Sequence, residues 1–111
     1  MLIGTDAIVN GVLPPGPSVH AELQLMVAAG LTPYEVLAAA TRSAAVFWGT
    51  LDRTGTVEVG KRADLVLLNG NPLEDIKNTA QPTGVMVGGR WLGRAELEAH
   101  LTALQVEKSW W

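Results

Sequence analysis

An aspartate two positions after a short apolar stretch is the first residue in this sequence whose type and position could support catalysis or metal binding. Residues 1–4, MLIG, have the character of a buried strand, and Thr5 and Asp6 come next. In parallel α/β folds, loops converge at the carboxyl ends of the strands and build sites there. A carboxylate in that place could bind a divalent metal or accept a proton from bound water. The alternative is that Asp6 caps the following turn through backbone N–H groups.

A histidine near the start of the first predicted helix is the second candidate. Glu22 follows His20 by two residues, and residues i and i+2 diverge on a helix, so the two side chains cannot face one point. His20 could instead reach the same cleft as Asp6, because only a loop separates them. A histidine on the surface of the first helical turn is the simpler alternative.

Other polar residues have structural explanations. Thr41 suits a helix cap, Asp64 is predicted to be a buried, hydrogen-bonded carboxylate, and His100 is expected on an exposed or edge face of the last helix. The GxGxxG, P-loop, HExxH and GxSxG patterns are all absent from the sequence.

The composition limits the class of protein. The chain has 111 residues, of which 48% are hydrophobic, which is enough for one small domain with a modest core. It has no cysteine, so disulfides and thiolate metal sites are excluded. The net charge is −3, and without a basic stripe we expect no nucleic acid partner. No run approaches the roughly 20 apolar residues that span a bilayer, so we expect no membrane partner.

Helical patterns dominate the first half of the chain. Apolar residues at helical spacing predict a helix from about residue 17 to 29, with Gly30 just beyond its end. Thr32, Pro33 and Glu35 form a capping-box pattern that starts a second helix. Its inward face is predicted to hold Val36, Leu37 and Ala40. A third, short helix is expected over residues 43–48, ended by Gly49.

The second half begins with β-type patterns. Residues 55–72 predict two short strands around Gly60 and Lys61, followed by a turn. Residues 63–68 are apolar on both faces apart from Asp64, which predicts a strand covered on both sides. Residues 85–92 predict a hairpin with a type I′ turn at Gly88-Gly89. An amphipathic helix is expected from about Arg94, with Leu97, Leu101 and Leu104 on one face.

Four segments in series resemble the C-terminal end of metal-dependent amidohydrolases, in the imidazolonepropionase-like and Xaa-Pro-dipeptidase-like branch. The resemblance covers residues 2 to 92 and is specific because four motifs occur in the family's order and spacing; GTDA alone is weak, whereas GKRADLVLL with a following NP is much stronger. The segments are GTDA at 4–7, HAELQLMVAAGLTPYEVLAAAT at 20–41, GTVEVGKRADLVLLNGNPLEDI at 55–76 and VMVGGRWL at 85–92.

The resemblance implies a fold. In this family a (β/α)₈ barrel carries a small β-sandwich that is built from both ends of the chain. The sequence would then be an α/β fragment. Residues 1–50 would hold the last strand and following helices of the metallo-hydrolase barrel. Residues 51–93 would form the C-terminal half of the sandwich, and residues 94–111 a helix and tail.

The resemblance also implies a site. Asp6 matches the aspartate that ends the last barrel strand, binds the catalytic metal (usually zinc, as one or two ions) and acts as general base toward its water. His20 matches a histidine just after that strand's loop and is carried over as a substrate-side contact. The implied reaction is hydrolysis of a C–N bond in a cyclic amide or an Xaa-Pro type dipeptide.

The family's other metal ligands have no counterpart here, which makes this chain alone an incomplete site. A single barrel needs roughly 250 residues, and a catalytic zinc takes about three protein ligands. We therefore expect the isolated chain to be inactive and not to bind the metal stably. Its expected partners are a small-molecule substrate and the missing N-terminal barrel segment, in cis or in trans. The alternative is a non-catalytic remnant or split subunit that serves as a binding or assembly module.

Overall fold

Helices occupy the first half of the described chain and a small antiparallel sheet the second. The computed structural model describes residues 2–3 and 17–107. The predicted strand at residues 1–4 therefore lies mostly outside the described residues. The elements in chain order are α1 (Pro17–Ala28), α2 (Pro33–Ala40), α3 (Arg42–Trp48), β1 (Leu65–Leu68), a 3₁₀ helix (Ile76–Ala80), β2 (Pro82–Val87), β3 (Arg90–Gly93) and α4 (Arg94–Glu107).

The predicted capping box begins α2. The backbone N–H of Glu35 donates to the Thr32 hydroxyl oxygen at 3.2 Å, and the Glu35 carboxylate accepts from the Thr32 backbone N–H at 3.2 Å. Pro33 takes the first helical position, where its missing N–H costs nothing. The prediction of this helix start is confirmed.

A change of direction separates α2 from α3. Thr41 ends α2, and its hydroxyl donates to the carbonyl oxygen of Leu37 at 2.8 Å. It also precedes α3, although its side chain makes no capping hydrogen bond there. Gly49 ends α3 in the left-handed region, at φ +71°, which a glycine adopts without the steric cost of a Cβ atom. The predicted short helix and its glycine stop are confirmed.

The core joins the helices to the 3₁₀ helix. Leu23 of α1, Val36 of α2 and Ile76 of the 3₁₀ helix are buried together. Leu37 and Ala40 pack against this cluster, as predicted for the inward face of α2. The partly buried residues around it are Ile3, Met26, Val27, Leu31, Leu37 and Ala40. Residues far apart in the sequence are thus held in one small apolar cluster.

The sheet has the order β1-β2-β3 and is antiparallel throughout. Val87 pairs with Arg90 across the turn, and Gly88 and Gly89 have φ of +56° and +85°. Positive φ at both central residues is what a type I′ turn requires, and it matches the twist of the strands. The predicted hairpin is confirmed. Helix α4 follows β3 directly and packs against β2 and β3.

One predicted strand is wrong. Of the two strands expected around Gly60 and Lys61, only the second is present in the described chain, as β1. Residues 55–60 form bends and turns instead, because Gly55 and Gly60 have φ of +93° and +91° and redirect the backbone. Val57 and Val59, whose alternation suggested a strand, point into solvent.

The predicted cover over both faces of β1 is also wrong for the described residues. Leu65 is 37% exposed, Val66 57% and Leu67 55%. β1 pairs only with β2 and is an edge strand of the described sheet. The described part of the chain supplies no layer over these side chains. The apolar run therefore predicted the strand correctly, but the predicted burial of its side chains is not found in the described part of the chain.

We predict that Gly84→Ala destabilises the sheet by about 1–3 kcal/mol, the usual cost of overpacking. Gly84 is buried in β2, and a Cβ atom there would collide with the Trp91 ring and lie 3.1 Å from the Leu92 carbonyl oxygen. Gly93→Ala is the matched control, because Gly93 pairs with Gly84 and its added Cβ would meet only Trp91 Nε1, at 3.8 Å. Urea unfolding followed by circular dichroism would measure both. Equal losses from the two variants would contradict the packing argument.

Candidate functional site

His20 lies on the first turns of α1, where the helix meets the second half of the chain. Its side chain is half-buried, and its Nδ1 atom lies 3.2 Å from the hydroxyl oxygen of Thr79. Thr79 belongs to the 3₁₀ helix and is separated from His20 by 59 positions in the sequence. The histidine is therefore held by a tertiary contact, which the interpretation as a simple surface residue did not include.

The sequence around Thr79 explains why the 3₁₀ helix forms and where it lies. Asp75 accepts the backbone N–H of Lys77 at 2.9 Å and caps the start of the helix. Ile76 follows and is buried against Leu23 of α1. This apolar contact fixes the position of the 3₁₀ helix against α1 and brings Thr79 to His20.

A groove of about 800 Å³ runs beside this contact, between the helices and β1. His20 and Thr79 line it at one place, and apolar side chains form much of its wall, among them Leu37, Trp48 and Val66. Arg62 and Asp64 also contribute to the lining. The groove is thus mainly apolar with a few polar groups, which is the composition typical of small-molecule sites.

Asp64 is hydrogen-bonded, as predicted, but it is exposed rather than buried. One carboxylate oxygen accepts the backbone N–H of Gly88 at 2.8 Å, and the other lies 2.9 Å from Arg62 Nε. Asp64 precedes an edge strand, so its side chain keeps contact with solvent while it ties that strand to the hairpin turn. Its role is structural. His100 is exposed on α4, as expected.

A second polar cluster fixes the bend before β1. Lys61 Nζ donates to the Thr56 hydroxyl oxygen at 2.6 Å and lies 2.7 Å from the Glu58 carboxylate. The Thr56 hydroxyl in turn donates to Glu58 at 2.7 Å. The hydrogen bonds from Lys61 and Thr56 hold the pKa of Glu58 below its ordinary value of 4.5. This cluster closes a turn in a segment for which the sequence pattern alone predicted a strand.

The lowered pKa of Glu58 predicts a pH dependence of stability. A carboxylate whose pKa is lower in the folded than in the unfolded chain stabilises the fold above the unfolded value, and this contribution disappears as the pH falls through the folded value. We expect the urea midpoint of the wild-type chain to fall below pH 4.5 by more than that of Glu58→Gln. Parallel pH profiles for the two proteins would show that the ionisation of Glu58 does not contribute to the pH dependence of stability.

Asp6, the predicted metal ligand and general base, lies outside the described residues. Among residues 2–3 and 17–107, no group of three or more His, Asp or Glu side chains is placed to hold a metal ion. No catalytic step through a metal can be built from this part of the chain alone.

Within residues 2–3 and 17–107, no helix has the length and apolar character needed to cross a membrane.

Comparison with known proteins decides the family. The model of the amidohydrolase family matches residues 1–92, most of the 111 residues. This chain belongs to the amidohydrolase family. The described residues of this family member form a small unit of helices and a three-stranded sheet.

Individual relatives support the branch that the sequence motifs resemble. A crystal structure of a Xaa-Pro dipeptidase with bound methionine in the active site matches with a TM-score of 0.74 and 33% identity, over 83% of this chain. Imidazolonepropionase from Mesorhizobium japonicum is 58% identical over 38 residues, 34% of this chain. Ochratoxinase from Aspergillus niger is 40% identical over 93 residues, 79% of this chain. The predicted family and branch are confirmed.

The chain spans only a small part of these amidohydrolases. It covers 22% of the dipeptidase chain, 18% of ochratoxinase and 9% of imidazolonepropionase. Family membership therefore describes the ancestry of this segment, and the activity of a whole amidohydrolase is a separate proposal.

Sequence reasoning missed the contact of Thr79 with His20 and the polar cluster around Lys61. Thr79 stands in a polar stretch, KNTA, that carries no periodic signal. Asp75, a residue type that caps helices and turns, was the available hint that a short helix starts there. Nothing in the sequence paired Thr79 with His20, because that contact depends on how Ile76 packs against α1.

Proposed function

We propose that this chain is the C-terminal portion of a metal-dependent amidohydrolase that hydrolyses a C–N bond in a cyclic amide or Xaa-Pro type substrate. Water would add its hydroxyl group to the carbonyl carbon, the C–N bond would break, and a proton would pass to the leaving nitrogen. The observation that carries this proposal is the family match over residues 1–92. The likeness to a Xaa-Pro dipeptidase, at 33% identity, supports the substrate class.

The proposed division of the chain follows the family resemblance. Residues 1–50 would supply the last barrel strand and its helices, residues 51–93 half of the small sandwich, and residues 94–111 a terminal helix and tail. The position of the three-stranded sheet at residues 65–93, after the three helices, agrees with this order.

The proposed site residues are Asp6 and His20. A divalent metal, which we propose is zinc, would supply a Lewis acid that activates water. Asp6 would be one of its ligands and would hold the proton that passes to the leaving nitrogen. His20 would contact the substrate. Because a catalytic zinc takes about three protein ligands, the other ligands would come from the rest of the protein.

The proposed partner is the N-terminal part of the barrel, in the same polypeptide or in a second one. We expect the 111-residue chain by itself to be inactive. The exposed apolar side chains of β1 and α3 support a covering partner, since Val66 is 57% exposed and Trp48 is 75% exposed. Exposed apolar patches of this kind mark interaction surfaces.

A non-catalytic assembly module is the second candidate function. The aromatic pair on α3 favours it, because Phe47 and Trp48 are mostly exposed and pack edge to face with ring centroids 5.3 Å apart. Such a pair presents a preformed apolar surface to another protein. The two candidates differ in whether the covering partner also brings the missing metal ligands.

Sequencing the source DNA upstream of the Met1 codon would test the proposal. An in-frame stretch of roughly 250 codons with a His-x-His near its start supports a catalytic protein. That protein should then be expressed whole and assayed with zinc on an Xaa-Pro dipeptide and on a cyclic amide. A stop codon and ribosome-binding signal just before Met1, with no partner chain that carries the other ligands, would remove the catalytic proposal in favour of the assembly module.

A further inference from the structure

We propose that Thr79 is a positioning residue that fixes His20 in the tautomer protonated at Nδ1, so that Nε2 becomes the hydrogen-bond acceptor on this ring. A neutral imidazole carries its proton on one nitrogen and a lone pair on the other. The partner of one ring nitrogen therefore decides what the other can do. In this chain that partner is the hydroxyl group of Thr79, 3.2 Å from Nδ1.

A count of protons assigns the direction of this hydrogen bond. The Thr79 hydroxyl lies 2.9 Å from the backbone carbonyl oxygen of Ile76. A carbonyl oxygen can only accept, so this shorter contact is a hydrogen bond when the single hydroxyl proton of Thr79 is donated to Ile76. The hydroxyl oxygen is then left as an acceptor toward His20. Both contacts are satisfied together only when His20 carries its proton on Nδ1.

The surroundings of Thr79 keep its hydroxyl group in this orientation. Ile76 is only 5% exposed and packs against Leu23, and this contact holds the 3₁₀ helix to α1. Asp75 caps the same helix by accepting the Lys77 N–H at 2.9 Å. The Ile76 carbonyl, which takes the Thr79 proton, is therefore part of a short element that is fixed at its start and by its buried side chain.

The consequence is chemical. Nε2 of His20 has no hydrogen-bond partner within the described residues, and His20 lines the groove beside β1. A lone pair at Nε2 accepts a hydrogen bond from an N–H group. Cyclic amides carry a ring N–H and dipeptides carry an ammonium group, so His20 would receive such a donor. This last step rests on the proposed function, whereas the tautomer assignment does not.

Nitrogen-15 NMR of the full 111-residue chain tests the assignment. The chain has two histidines, so a His100→Gln background leaves His20 as the only imidazole signal. Spectra taken at alkaline pH, once the imidazole signals no longer change with pH, report which nitrogen carries the proton. We expect the proton on Nδ1 and the lone pair on Nε2. Thr79→Val, which keeps the shape but removes the hydroxyl, should shift His20 toward the Nε2–H tautomer that free histidine prefers. Thr79→Ser, which keeps the hydroxyl group, should retain the Nδ1–H tautomer.

Three outcomes would overturn the proposal. The first is an Nε2–H tautomer in the parent chain, and a spectrum that matches that of free histidine counts as this outcome. The second is an unchanged tautomer in Thr79→Val. The third is a loss of the Nδ1–H tautomer in Thr79→Ser. None of these readouts needs turnover, so a chain that keeps the Nδ1–H tautomer but belongs to no active hydrolase would reject the proposed function alone.

Discussion

Leu23→Ala should lower the free energy of unfolding by about 2–5 kcal/mol, the range for truncation of a buried leucine. Leu23 is 4% exposed and lies at the centre of the apolar cluster with Val36 and Ile76. Its truncation removes apolar contacts and leaves a cavity between α1, α2 and the 3₁₀ helix. This loss would be a large fraction of the total, because native domains are stable by only about 5–15 kcal/mol.

Leu25→Ala is the matched control for this prediction. It is the same substitution in the same helix, but Leu25 is 69% exposed, so its truncation should change stability by well under 1 kcal/mol. Urea unfolding followed by circular dichroism would compare the two variants with the parent chain. If both variants lost the same stability, the cluster around Leu23 would not be the core of the folded chain.

Asp6→Asn should lower kcat by about 100- to 10,000-fold, the contribution of a general base, in the protein expressed from its complete reading frame. The proposal gives Asp6 two roles, metal ligand and proton acceptor. An amide is a poorer metal ligand than a carboxylate and cannot hold the transferred proton. We therefore expect a loss of bound zinc together with the loss of kcat. Stopped assays on an Xaa-Pro dipeptide and metal analysis of the same samples would measure both.

Asp52→Asn is the control for Asp6. The Asp52 side chain is 77% exposed and its contact with Arg53 is long, at 3.9 Å, so its change should leave kcat and zinc content as in the parent. A normal kcat in Asp6→Asn would reject the general-base role. A loss of kcat no larger than the loss of bound zinc, so that kcat per bound zinc stays normal, would leave Asp6 as a ligand without a part in proton transfer.

Local signals predicted the helices and the hairpin well, because their causes lie within a few residues. The capping box of Thr32 and Glu35 acts between positions three apart, and it forms as the sequence predicts. Gly88-Gly89 likewise determines its own turn. Such features need no knowledge of distant contacts, and so they can be predicted from one sequence.

Features that depend on distant neighbours were predicted less well. One local feature was also missed: Val57 and Val59 alternate as in a strand, but Lys61 contacts Thr56 and Glu58, five and three positions away, and closes the segment into a turn. Asp64 was placed inside because its neighbours are apolar, whereas β1 is exposed in the described structure. For the site, the family resemblance singled out Asp6 and His20, but only the three-dimensional structure places Thr79 beside His20.

The open edge of β1 has a consequence for handling the protein. Leu65–Leu68 contains no lysine, proline or charged side chain, the groups by which natural edge strands resist pairing with other chains. One side of β1 keeps its backbone hydrogen-bonding groups unused by the described sheet, whose order places β1 at its border. An exposed apolar edge of this kind can add a strand from a neighbouring molecule and seed aggregates. The aggregated fraction of the chain should therefore rise steeply with protein concentration, and a partner that covers β1 would prevent this association.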